Sequence, residues 1–81
     1  MNRQEILAGV QEIFRDIFDD ANLIIKDETN SSQIEDWDSL AHINLVTSIE
    51  KEFKVKFALG ELSQLKNVGE MLTLIEKKKK Q

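Results

Sequence analysis

The sequence predicts a small all-α domain, an antiparallel four-helix bundle with three main helices and one short helix. It contains no proline and only three glycines among its 81 residues, a composition that favours helices over turn-rich β structure. Hydrophobic residues make up 41% of the chain, which is enough for one modest core but leaves no room for a deep substrate cavity. We therefore expect one domain over residues 1–81 without a large active site of its own.

Helix one is predicted over residues 2–20, because apolar residues recur there at helical spacing. These residues are Ile6, Val10, Ile13, Phe14, Ile17 and Phe18. Asn2 and Glu5 stand three residues apart at the start of the segment, the spacing of a capping box.

Residues 20–37 lose this periodicity and collect Asn, Asp, Thr and Ser around a few apolar residues. A loop of this length is uncommon in a small domain unless it is functional or held down by its own apolar side chains. We expect it to be pinned to the bundle by Leu23, Ile24, Ile25, Ile34 and Trp37.

Helix two is predicted from Asp38 to about Phe53, where the helical apolar pattern returns. Asp38 is a favourable N-cap residue, because its carboxylate accepts from free backbone N–H groups. Leu45, Ile49 and Phe53 recur in steps of four and are expected to face the core. His42 and Val46 lie beside them.

A short helical turn is predicted around Glu61 and Leu62, followed by the last long helix. Asn67 and Glu70 have capping-box spacing at the start of that helix. Its apolar residues continue at helical spacing: Met71, Leu72 and Ile75. Residues 78–81 are expected to fray as a basic tail.

The composition also excludes several classes of function. The chain has no cysteine, so disulfides and thiolate zinc sites are impossible. No apolar run approaches the ~18 residues that cross a bilayer, and no signal peptide is recognisable, so we expect a cytoplasmic protein without stable membrane insertion. Four of the 11 bases are Lys77–Lys80, so residues 1–76 carry seven bases against 15 acids. An acidic body of this kind repels nucleic acid.

A second apolar row lies on helix two, away from the residues that face the core. Leu40, Ile43 and Thr47 share this side of the helix at about 100° per residue. Either the short helix and the long loop cover the row, or it is exposed as a docking surface.

Ser39 allows three interpretations: helix cap, catalytic nucleophile or attachment site. His42 shares a helix face with it, but catalysis also needs a pocket and an oriented base, and the G-x-S-x-G turn is missing. A calcium loop counted from Asp36 and Asp38 fails because Ala41 stands where glycine is required. Capping is the common role of such a serine. Attachment is physically reasonable, because a helix N-terminus stabilises a phosphodiester.

The chain resembles the acyl carrier protein family in Asp38-Ser39-Leu40 and in the longer stretch "WDSLAHINLVTSIEKEFKVKF". The resemblance includes the acyl-carrier-like order before this stretch, an acidic loop and a helix ending in "FRDIF". The resemblance covers nearly the whole chain and implies a carrier that is not an enzyme. It implies that a phosphopantetheinyl transferase attaches 4'-phosphopantetheine to Ser39, with Asp38 contacting the transferase and its magnesium. The thiol of the arm would hold acyl groups as thioesters.

The resemblance further implies a monomer whose partners are acyl-loading and acyl-processing enzymes of fatty acid, specialised lipid or polyketide biosynthesis. Leu40, Ile43 and Thr47 would face these partners, with Glu50 as a nearby acid for basic partner surfaces.

The chain departs from carriers of general fatty acid synthesis, which often have acids at the positions of Ala41, Asn44 and Lys51. Trp37 and the "SLAHINL" run look more like carriers dedicated to one pathway, although Trp37 could equally anchor the loop. A carrier for an amino acid or D-alanine is one alternative. An unmodified helical protein-interaction module that uses the same apolar row is another.

Overall fold

A computed structural model describes residues 2–58, 61, 65 and 67–79. Within this part of the chain the regular elements are α1 (Arg3–Ile17), α2 (Ser39–Phe53) and α3 (Val68–Lys79). The predicted all-α class and the three long helices are confirmed. Of the predicted short helix, Glu61 is helical and Leu62 lies outside the described residues.

The predicted capping box begins α1. Asn2 Oδ1 accepts a hydrogen bond from the Glu5 backbone N–H at 2.9 Å, and Glu5 Oε1 accepts one from the Asn2 N–H at 3.0 Å. At the other end, Phe18 leaves the helical conformation and Asp19 takes a left-handed backbone with φ 51°. These local interactions fix both ends of the helix.

One apolar core joins the three helices and the loop. Its buried members include Ile6, Val10, Phe14, Leu45, Ile49, Phe53, Val68, Met71, Leu72 and Ile75. The helices α1 and α2 approach closely at Gly9, where an added Cβ would lie 2.8 Å from Cζ of Phe53. The side chain of Phe53 therefore occupies space that only glycine leaves open at this point of α1.

The long loop is pinned to the bundle, as predicted, but not by all of the expected residues. Ile25 and Ile34 are buried, and Leu23 and Trp37 pack against the core. Ile24 is 67% exposed, so its predicted anchoring role is wrong. Its neighbours Leu23 and Ile25 take the inward positions.

Backbone groups of the loop also hold the start of α3. The N–H of Val68 donates to the carbonyl of Thr29 at 2.8 Å, and the N–H of Gly69 donates to the carbonyl of Asp27 at 2.8 Å. Loop carbonyls therefore satisfy two of the N–H groups that a helix start leaves free.

Arg3 ties the same three parts of the molecule together. Its guanidinium donates to Glu76 at 2.6 Å, to Thr73 at 3.0 Å, to Asp27 at 3.1 Å and to the carbonyl of Gly69 at 2.9 Å. The hydrogen bond with Glu76, and after it the interactions with Asp27, raise the pKa of Arg3 above its ordinary value. The planar, multi-donor guanidinium suits such a junction.

The expected fraying from residue 78 is wrong for Lys78 and Lys79, which are helical. Lys78 Nζ lies 2.9 Å from Glu61 Oε1, and Lys79 Nζ donates to the carbonyl of Phe53 at 3.1 Å. Each lysine has an acceptor because α3 ends beside the end of α2 and beside Glu61. Residues 80 and 81 lie outside the described part of the chain.

No helix in the described ranges has both the length and the apolar character that a membrane span requires.

Candidate functional site

Asp38 caps α2 and places Ser39 as the first helical residue. Asp38 has an extended backbone, with φ −100° and ψ −173°, and its Oδ1 accepts from the Ala41 N–H at 2.8 Å. The Asp38 carbonyl accepts from the N–H of His42 at 2.9 Å. The predicted cap at Asp38 is confirmed, and the interpretation of Ser39 itself as the cap is wrong. Ser39 is exposed, so its hydroxyl faces solvent at the helix start.

Two backbone donors remain at this helix start. Asp38 accepts hydrogen bonds from the N–H groups of Ala41 and His42. In the part of the chain that the structure describes, the N–H groups of Ser39 and Leu40 have no acceptor and can bind another group. The N-terminal end of a helix also carries partial positive charge. Free N–H groups at such an end bind phosphate oxygens, so the surroundings of Ser39 fit a phosphodiester on its hydroxyl.

Trp37 anchors the loop just before the serine. Its ring meets the Phe14 ring edge-on, with centroids 5.2 Å apart and an interplanar angle of 89°. Its Nε1–H donates to Nδ1 of His42 at 3.2 Å, and these two rings are nearly parallel, with centroids 6.1 Å apart. The interpretation of Trp37 as a loop anchor is confirmed. The bond to His42 was not predicted, because a tryptophan and a histidine five residues apart give no sequence signal for it.

Ser39, His42 and Asp38 do not form a catalytic triad. His42 Nδ1 accepts from the indole of Trp37, and Asp38 Oδ1 accepts from the backbone of Ala41. Neither contact orients the imidazole toward the serine, as a general base requires. Among the described residues, no group of three His, Asp or Glu side chains could hold a metal ion.

The second apolar row of α2 is exposed in the part of the chain that the structure describes. Leu40 is 68% exposed and Ile43 is 59% exposed, and Thr47 is also exposed. Large apolar side chains that remain in solvent beside a candidate site are typical of a contact surface for another protein. The row begins one residue after Ser39.

Glu50, which the sequence placed near this row, is half-buried and already has a structural contact. Its Oε2 accepts from the N–H of Phe57 at 2.9 Å, which holds the segment that follows α2 against the helix. The helix ends at Phe53, and Lys54 takes a left-handed backbone with φ 57°. The structural contact of Glu50 depends on how the chain turns back after α2, and no sequence pattern indicated it.

Two clefts lie away from Ser39. One of about 660 Å³ is lined by Arg3, Asp27, Glu70, Thr73 and Lys77, among others. Another of about 450 Å³ lies between α1 and α2, lined by Ile13, Asp16, Ile17, Ser48, Lys51 and Glu52. Ser39 lines neither of these two clefts, and it is exposed at the surface.

Comparison with known proteins agrees with this geometry. Residues 8–75 match the model of a protein family described as "Phosphopantetheine attachment site". A curated acyl carrier protein from Acidothermus cellulolyticus is 28% identical over 75 residues, which cover 93% of this chain and 89% of that protein. A solution NMR structure of holo acyl carrier protein from Geobacter metallireducens is 49% identical and superimposes with a TM-score of 0.83, covering 89% of this chain and 83% of that one.

Proposed function

The chain belongs to the acyl carrier protein family, defined by the phosphopantetheine attachment site that residues 8–75 match, and we propose that Ser39 is the attachment residue. The protein is a carrier and not a catalyst. It carries acyl intermediates as thioesters on covalently bound 4'-phosphopantetheine and delivers them to enzymes of biosynthesis. The bound group supplies a thiol, which this chain cannot supply itself because it has no cysteine.

The observation that carries the proposal is the exposed hydroxyl of Ser39 at the first residue of α2. Because Ser39 is exposed, this oxygen is accessible to a transferase. After attachment, the N–H groups of Ser39 and Leu40 would donate to the phosphate oxygens, and the helix dipole would stabilise the negative charge. The similar solution structure is that of a holo acyl carrier protein, which supports a site of this kind.

Asp38 has two tasks in this proposal. Its Oδ1 holds the helix start through the N–H of Ala41 at 2.8 Å. Its Oδ2 accepts no hydrogen bond within the described ranges and is left for a divalent cation, since magnesium prefers oxygen ligands. We infer that this oxygen faces the magnesium of the phosphopantetheinyl transferase during attachment.

The partners are the phosphopantetheinyl transferase and enzymes that load or process the acyl group. We propose that they contact the exposed row of Leu40, Ile43 and Thr47, because apolar surface beside the attachment point would be buried on docking. Glu50 lies near the row, but its Oε2 accepts from Phe57, so its contribution to docking would come from the charge that this bond leaves exposed.

We further propose that the chain is one cytoplasmic, monomeric carrier domain over residues 1–81 that serves a dedicated lipid or polyketide pathway. Ala41, Asn44 and Lys51 stand where acids are common in carriers of general fatty acid synthesis, and this replacement favours a different set of partners. A carrier for an amino acid or D-alanine is the alternative within the family. The absence of a glycine-rich approach to the serine favours an acyl cargo.

Intact mass spectrometry tests the attachment site. The purified protein is measured before and after incubation with coenzyme A, magnesium and a broad-specificity phosphopantetheinyl transferase. We expect the mass of one phosphopantetheine on the wild type and on Ser31→Ala, which removes another exposed serine, and no gain on Ser39→Ala. Protein already carrying the arm after expression counts as a gain. A Ser39→Ala protein that acquires the arm would place the site elsewhere.

The Ser39→Ala variant also tests the alternative that the protein is an unmodified interaction module. Such a module would keep both its partner binding and its biological activity after Ser39→Ala, because the exposed row is unchanged. A carrier loses activity in that variant while its fold is retained. Circular dichroism and a growth or product assay on one set of samples distinguish these results.

A further inference from the structure

Ser39 lies between two residues whose side chains bond to each other. Trp37, two residues before it, donates from Nε1 to Nδ1 of His42, three residues after it, at 3.2 Å. The two rings are nearly parallel, with an interplanar angle of 20°. The residues between them form the turn from the loop into α2, so this bond is a bridge across the turn that carries the attachment hydroxyl.

The bridge is tied to the core at one end. Phe14, which the Trp37 ring meets edge-on at 5.2 Å, has 0% exposure and belongs to α1. The backbone bonds of the turn, by contrast, are local: Trp37 N–H donates to Ile34 at 3.1 Å and Asp38 N–H donates to Asp36 at 2.9 Å. Trp37 therefore holds the turn against the rigid interior, and His42 holds the turn to α2.

From this geometry we infer that Trp37 and His42 are positioning residues for the attachment reaction, an inference that rests on the proposed function of Ser39. In that reaction the Ser39 Oγ forms a bond to the phosphorus next to pantetheine in coenzyme A. The pyrophosphate P–O bond breaks, adenosine 3',5'-bisphosphate leaves with the electron pair, and a base of the transferase takes the hydroxyl proton. In-line attack requires a defined direction of Oγ, and a turn held at both ends provides it.

A positioning role has its own kinetic signature. The transferase binds the exposed surface of α2, which the bridge does not form, so binding is unchanged when the bridge is lost. The hydroxyl then spends less time in the reactive direction, and kcat falls while the KM for the carrier stays the same. Lost stability alone would change neither value at a temperature where the protein is fully folded.

Two ring-preserving substitutions and their combination test the bridge. Trp37→Phe keeps an aromatic ring against Phe14 but has no N–H donor, and His42→Phe keeps a flat ring but has no acceptor. Each single variant is expected to lower kcat for attachment about fivefold, the worth of one ordinary hydrogen bond. The double variant is expected to lose less than the product of the two single losses, because both changes remove the same bond.

A conservative variant and a distant one serve as controls. His42→Asn places an amide oxygen close to the position of Nδ1 and is expected to keep most of the wild-type kcat. Ile24→Ala changes an exposed apolar loop residue outside the bridge and is expected to leave kcat unchanged. Because Trp37 is the only tryptophan, its fluorescence emission should change in His42→Phe and stay as in the wild type in Ile24→Ala.

Thermal unfolding of every variant establishes that it is folded at the assay temperature. Losses that multiply in the double variant, a rise in KM at constant kcat, or wild-type rates in both single variants would each overturn the inference. If Trp37→Phe does not fold, equal kcat values for His42→Phe and His42→Asn would overturn it. Absence of attachment to the wild type, or attachment to Ser39→Ala, would instead contradict the proposed site itself.

Discussion

The Nζ of Lys79, the last residue of α3, donates a hydrogen bond at 3.1 Å to the carbonyl of Phe53, the last residue of α2. The final carbonyls of a helix have no partner within the helix, and the partial negative charge at that end favours a cation. The lysine therefore caps a helix to which it does not belong. It links the two helix ends across 26 residues of sequence.

Replacing Lys79 by methionine is expected to lower the stability of the fold by about 1 kcal/mol, since it removes a charged hydrogen bond at a partly exposed site. In a domain of this size such a loss lowers Tm by about 4 to 8 °C. Lys77→Met is the matched control, because Lys77 is exposed on the same helix. Equal melting temperatures for the two variants would show that the Lys79 contact does not contribute to stability.

Arg3 is expected to matter more for stability, because one guanidinium joins α1, the loop and α3 through four acceptors. Its side chain is 36% exposed, so solvent screening reduces what its ion pairs contribute. We expect Arg3→Met to lose about 2 kcal/mol, and Arg3→Lys to lose slightly less, because the single nitrogen of an ammonium cannot reach all the acceptors that the two terminal nitrogens of the guanidinium share. Urea unfolding gives both values, with Lys26→Met as an exposed control. A loss for Arg3→Met no larger than for Lys26→Met would contradict the role of Arg3 as a junction.

Glu61 is expected to make the stability of the fold depend on pH in the acid range. The backbone N–H of Ala58, which donates to its carboxylate at 2.8 Å, and then the ion pair with Lys78 lower its pKa from the ordinary 4.5. A lowered pKa in the folded state contributes stability above pH 4.5, and this contribution is lost as pH falls through the lowered value.

The measurement is the difference in Tm between the wild type and Glu61→Gln as a function of pH. We expect the wild type to melt higher at neutral pH, and the difference to disappear on acidification below pH 4.5. Glu35→Gln, which removes an exposed carboxylate of the loop, controls for the general effect of removing a negative charge. A difference that stays constant down to pH 3 would contradict the assignment.

The parts of this molecule that could be predicted from sequence are those set by neighbours along the chain. The capping box of Asn2 and Glu5 and the cap at Asp38 each span three residues, and helical spacing identified the core faces. Arg3 and Glu76, by contrast, are 73 residues apart, and no local pattern connects them. Ile24 was misassigned for a related reason. Which of two adjacent residues in an extended segment faces inward depends on the surface that it packs against.

The candidate site likewise has features that the sequence predicted and features that only the structure shows. Ser39 was proposed as the attachment residue from the resemblance of Asp38-Ser39-Leu40 and the following helix to the acyl carrier protein family, because the local features alone are equally typical of a helix cap. The bond between Trp37 and His42 needed the structure, because the rotation of the tryptophan ring is set by Phe14 of another helix. The contact of Glu50 with Phe57 likewise depends on the chain reversal after α2.

Substitutions in the exposed row of α2 distinguish an effect on docking from an effect on stability. Leu40 and Ile43 are 68% and 59% exposed, so Leu40→Ser and Ile43→Ser should change the free energy of unfolding by less than about 0.5 kcal/mol. Leu45, five residues along from Leu40 but 0% exposed, is the contrasting position, and Leu45→Ala should cost about 2 to 5 kcal/mol through the cavity it leaves. If the row is the docking surface, the two serine variants raise the KM for attachment by the transferase while Tm is unchanged. An unchanged KM in both variants would remove Leu40 and Ile43 from the surface that the transferase contacts.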